Sequence, residues 1–87
     1  MVQQPTNRFP VHDKIDVIDG ETVYKNDSWW KAVILSEGFR GREVNIYVWL
    51  NEDNGWTRKQ KYSVKSRDDW ESDRNLVDEF VEALPEP

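Results

Sequence analysis

Tyr47, Trp49, Lys59 and Lys61 are the residues whose types and spacing suggest a chemistry: rings that stack on flat bases, and cations that hold phosphates beside them. They stand on the clearest alternating pattern of the chain. From Glu43 to Leu50, Val44, Ile46, Val48 and Leu50 share one face of a strand, and Glu43, Asn45, Tyr47 and Trp49 share the other. The aliphatic set reads as core. A turn over 51–55 leads to a returning strand, Trp56 to Val64, in which Arg58 and Gln60 interrupt the parity of Trp56, Tyr62 and Val64. With Leu50 opposite Trp56, Asn45 faces Lys61, Tyr47 faces Lys59 and Trp49 faces Thr57. The resulting outer face is aromatic and basic. Stacking a base on such a ring contributes about 1 to 3 kcal/mol, so the expected partner is single-stranded DNA or RNA. A second reading needs no nucleic acid: Tyr47 and Trp49 brace the hairpin against lysine stems, or present an aromatic face to another protein.

Other chemistries find fewer groups. The single histidine, His12, has no cysteine and no second histidine with which to build a zinc site. Asp68, Asp69, Glu71 and Asp73 crowd the start of a helix, where its dipole and solvent account for them. The run Asn51-Glu52-Asp53-Asn54-Gly55 departs from a calcium loop, because Tyr62 stands where the bidentate glutamate belongs. It reads as a turn. Asn26-Asp27-Ser28 matches a glycosylation sequon but also suits a turn. No glycine-rich phosphate loop or nucleophile elbow occurs. The expectation is a binding module, not an enzyme, with no metal and no cofactor.

Charge is uneven along the chain. The net value is −5, but residues 39–66 carry six basic and three acidic groups, while residues 67–87 carry two basic and eight acidic ones. A basic middle beside an acidic end suits a local binding surface, and not a protein that coats duplex by charge alone.

The elements that position these residues fit one domain in 87 residues. Met1 to Pro10 reads as a disordered lead-in, and 11–87 as a single domain. Asp19-Gly20, set between β-forming residues, predicts a hairpin within Lys14 to Lys25. Trp29 to Ser36 is a central strand, and the glycines of Glu37 to Arg42 turn the chain back. Ser66 is placed to cap a helix whose stripe is Trp70, Val77, Phe80, Val81 and Leu84, ended by Pro85. The expected class is α+β: an antiparallel sheet of four to five strands followed by one C-terminal helix packed on one face. No apolar run is long enough for a membrane span, and Met1 to Asn7 lacks the pattern of a signal peptide, so a cytoplasmic location is expected.

Taken in order, the strand Lys31 to Ser36, the turn Gly38-Phe39-Arg40-Gly41-Arg42, the alternating strand ending in Trp49, an acidic turn, a basic strand and a helix opening with Trp70 carry a likeness. From Trp29 to Leu84 the chain resembles the positive-cofactor-four family of transcriptional coactivators. The resemblance implies a curved four-stranded antiparallel sheet with one C-terminal helix, binding of single-stranded DNA, a role in transcription, and a homodimer joined through helices and sheets. It also implies that Phe39, Arg42, Trp49, Lys59 and Lys61 contact the strand. With the outer-face residues Asn45 and Tyr47, these make the candidate site. Leu76 and Phe80 widen the apolar stripe of the helix, which independently favours a homodimer.

Overall fold

The computed structural model describes residues 9–12, 14–39 and 41–86. Four strands, β1 (Asp16–Lys25), β2 (Trp29–Gly38), β3 (Gly41–Glu52) and β4 (Gly55–Val64), precede one helix, α1 (Arg67–Val81). The strands pair in sequence order as one antiparallel sheet, β1-β2-β3-β4. This is the α+β architecture expected, with four strands.

The expected hairpin at Asp19-Gly20 is absent, because β1 runs straight through it and Gly20 lies opposite Ile34. A two-residue turn of that kind needs positive φ at both positions, and among the described residues only Gly41 and Gly55 have it. Irregularities between Val17 and Asp19 and between Thr22 and Tyr24 break the register of β1 with β2. Such bulges are common at sheet edges, where they twist the strand and discourage pairing with another chain. The reversal falls instead at Asn26-Asp27-Ser28. There the Asn26 Oδ1 accepts the N–H groups of Ser28 and Trp29 at 2.8 and 2.7 Å. The β3–β4 reversal at Asp53-Asn54 is tighter than expected, and Gly55, with φ 115°, supplies the conformation that a side chain would resist.

Burial reverses the expected roles of the two sheet faces. Trp30, Ala32, Ile34 and Ser36 of β2 meet Trp49, Tyr47, Asn45 and Glu43 of β3 on one face, and all of these except Glu43 are buried. We call this the aromatic face. Val44, Ile46, Val48 and Leu50, expected as core, lie on the opposite, aliphatic face and are only half-buried. The cause is what covers each side. Phe9 and Val11 pack against the buried aromatic cluster, whereas the backbone of α1 approaches the sheet along its edge strand β4. Phe9 and Pro10 are therefore half-buried parts of the fold rather than disordered lead-in; the remainder of that segment, 1–8, lies outside the described residues.

Ser66 caps α1 as expected, its Oγ accepting the Asp69 N–H at 3.0 Å, with Asp68 and Asp69 in the first turn. Beyond Val81 the N–H groups of Ala83 and Leu84 close short turns on Phe80 and Val81. No residue of α1 is buried. Trp70 borders a groove of the aliphatic face with Val33, Val44, Ile46 and Val64, while Leu76, Val77, Phe80 and Leu84 stay exposed.

Candidate nucleic-acid interface

The aromatic face holds a continuous group of rings. Tyr47 lies parallel to Trp49, centroids 5.2 Å apart and planes 5° from parallel. Trp49 leans on Trp30 at 5.2 Å, and Trp30 meets the edge of Trp56 at 5.4 Å. Offset stacks and tilted contacts of this kind suit the ring quadrupole, beyond the area they bury. The Trp30 Nε1–H donates to Thr22 Oγ1 at 3.0 Å, which fixes the indole against β1. Trp49 Nε1 is buried and has no hydrogen-bond partner among the described residues.

Cations surround the rings. The Lys25 Nζ sits 3.9 Å from the Trp30 centroid and 5.6 Å from that of Trp56. Lys61 lies 5.8 Å from the Tyr47 ring, and Arg58 is paired with Trp49 across the strands. Cations over ring faces at these distances are held by the quadrupole while their hydrogens stay available to other acceptors. Strand pairing also brings Glu43 to this face, opposite Ser36.

Burial raises the Tyr47 phenol above its ordinary value of 10.0; Arg58 pulls the other way and Glu43 adds to the rise. A raised phenol favours the neutral form in the folded state. That stability is complete below the unfolded value near 10 and is lost as pH rises through the higher folded value. Denaturant unfolding between about pH 9 and 11.5 is expected to show wild type losing more stability than Tyr47→Phe. Parallel losses would show that the phenol is not shielded.

The seven candidate residues do not form one site. Tyr47, Trp49, Asn45 and Lys61 share the aromatic face, but their register differs from expectation. Tyr47 faces Lys61, Trp49 faces Arg58 and Asn45 faces Ser63. Two features cause the shift: the short turn moves the pairing by one residue, and an irregularity beside Val48 and Trp49 adds another at Lys59. Lys59 therefore does not face Tyr47. It reaches Glu52 at 3.3 Å, and that carboxyl is held below its usual range by a hydrogen bond from Thr57 and then by Lys59. Asn45 is buried, and its Oδ1 accepts the Ser63 hydroxyl at 2.6 Å, which makes it a structural group. Phe39 is fully exposed at the β2–β3 turn. Arg42 beside it pairs across the strands with Glu37 and lies 3.8 Å from that carboxylate. The eight residue steps from Gly41 to Trp49 span roughly 27 Å of strand, so Phe39 and Arg42 stand at the far end of the sheet from the rings.

Trp49 and Tyr47 are also not open platforms, being 1% and 3% exposed. Sequence reasoning missed Phe9, Lys25, Trp30, Trp56 and Arg58. For Trp56 and Arg58 a signal existed: the broken parity of the last strand marks the extra residue that carries both to the aromatic face. For Trp30 there was none, since Trp29 to Leu35 is apolar at every position except Lys31 and carries no alternation.

Comparison with protein-family models, with curated proteins and with solved structures finds no match to this chain.

Proposed function

We propose that this chain is a non-enzymatic module that binds single-stranded DNA or RNA along its aromatic face, with weak sequence preference. The observation that carries the reading is the ring of cations, Lys25, Arg58 and Lys61, around the contiguous rings of Trp30, Tyr47, Trp49 and Trp56. Cations beside stacked rings are what a single strand needs, because its phosphates and its unpaired bases are bound together. The net charge of −5 restricts attraction for polyanions to such a local patch. The resemblance to the positive-cofactor-four family supports the same ligand, and with it we propose a role in transcription and a cytoplasmic location. Titration with oligothymidylate, followed by tryptophan fluorescence, tests the reading: quenching at low salt supports it, and an unchanged spectrum refutes it.

A second observation favours a homodimer as the working form. Phe80 of α1 is 68% exposed, and Leu76, Val77 and Leu84 lie bare beside it. Ile46, Val48 and Tyr62 line an open groove on the sheet together with Lys31, Lys59, Gln60 and Lys61. An apolar helix face flanked by Asp73, Asp78, Glu79 and Glu82 complements that groove in hydrophobicity and in charge. Each copy carries both halves, as a two-fold interface requires. Sedimentation at tens of micromolar is expected to give a dimer for wild type and a folded monomer for Phe80→Asp. A monomeric wild type would contradict the dimer.

A further inference from the structure

Phe9 lies in the middle of the aromatic face, where a stacked base would lie. Its ring is 22° from parallel to Trp49 with centroids 6.4 Å apart, and 5.7 Å from Trp30. The strand beneath has been left bare for it: a Cβ at Gly20 would fall 2.7 Å from the Phe9 ring. Gly20 has no positive φ to explain it, so the close approach of Phe9 is what the missing side chain permits.

The segment carrying Phe9 is tied to itself. The Val11 N–H donates to the Phe9 carbonyl at 2.8 Å, the Lys14 N–H to His12 Nδ1 at 3.0 Å, and the Ile15 N–H to the His12 carbonyl at 3.0 Å. Phe9 and Val11 are its packing contacts with the core cluster. Withdrawing the ring would therefore leave these local hydrogen bonds intact.

We propose that Gly20, Trp30 and Trp49 form a site for one flat ring, that Phe9 fills it in the free protein, and that a nucleobase of the bound strand takes the place of Phe9. This inference rests on the nucleic-acid reading and gives it a consequence: binding is a competition between an internal ring and an external one. The free protein then shows less affinity than its cations and rings would support, because only the fraction with Phe9 withdrawn is competent.

Two measurements on the full chain test this. The first compares oligothymidylate affinity for wild type and Phe9→Ala, with about tenfold tighter binding expected once the competitor is removed. The second places para-fluorophenylalanine at position 9 and follows its fluorine resonance. Addition of oligothymidylate is expected to move that resonance from a half-buried, ring-stacked shift to a solvent-exposed one. Equal or weaker binding by a folded Phe9→Ala, with the fluorine signal staying at its ring-stacked shift in the complex, would overturn the displacement while leaving nucleic-acid binding in place. If Phe9→Ala fails to fold, the fluorine shift decides alone. Absence of binding by both proteins would overturn the nucleic-acid reading, and the base site with it.

Discussion

Replacing Trp49 with alanine is expected to destabilise the fold by about 3 to 5 kcal/mol, the usual cost of removing a large aromatic from a packed core. Trp49 contacts Tyr47, Trp30 and Phe9 at once, on the face where the buried residues are concentrated. Its loss opens a cavity between Phe9, Trp30 and Tyr47, on the face of the sheet opposite the one that Trp70 of α1 borders. A domain of this size holds about 5 to 15 kcal/mol in total, so the variant should be largely unfolded in mild denaturant. Chemical unfolding of wild type and Trp49→Ala measures this. A loss below about 1 kcal/mol would mean that the aromatic cluster is not the centre of stability. Trp49→Ala is for the same reason a poor test of binding.

The informative binding variants are on the cations. Arg58 and Lys61 are exposed, so Arg58→Ala and Lys61→Ala should leave the fold intact. Hydrogen bonds to charged groups contribute about 1.5 to 3 kcal/mol each, so removing both side chains should weaken binding at low salt by at least about a hundredfold. The salt dependence should fall as well, its slope shrinking by about 0.7 for each phosphate of a single strand that is no longer neutralised. Lys59→Ala is the matched control, since Lys59 is the extra residue of its strand and is engaged with Glu52. An equal weakening by Lys59→Ala would place the phosphate path along the β4 edge instead of across the aromatic face.

Much of the fold could be read in the sequence because its signals are local. Ser66 with Asp69, the glycines at 41 and 55, and the alternation of β3 each report a cap, a turn or a strand without knowledge of the rest. Which face of β3 is buried was not legible. Alternation says only that Val44, Ile46, Val48 and Leu50 lie opposite Asn45, Tyr47 and Trp49; the cover decides which set is core, and the cover is Phe9, far along the chain in a segment without periodicity. The Asp19-Gly20 pair misled for a related reason. Glycine serves there to admit a neighbouring ring, and a short-range signal cannot tell that use from a turn. At the candidate site, residue types were legible but register was not. The shorter turn brought Arg58 to Trp49, and together with one extra residue at Lys59 it changed which lysine stands beside Tyr47.

The most direct test of nucleic-acid binding is tryptophan fluorescence of the full chain during titration with oligothymidylate at two salt concentrations, with a duplex as control. Quenching by the single strand, weaker at high salt and absent with the duplex, is the predicted result, because bases must reach Trp30, Trp49 or Trp56 while phosphates meet Lys25, Arg58 and Lys61. Unchanged fluorescence with the single strand at both salt concentrations would contradict it, and the aromatic face would then be the core of the sheet and nothing more.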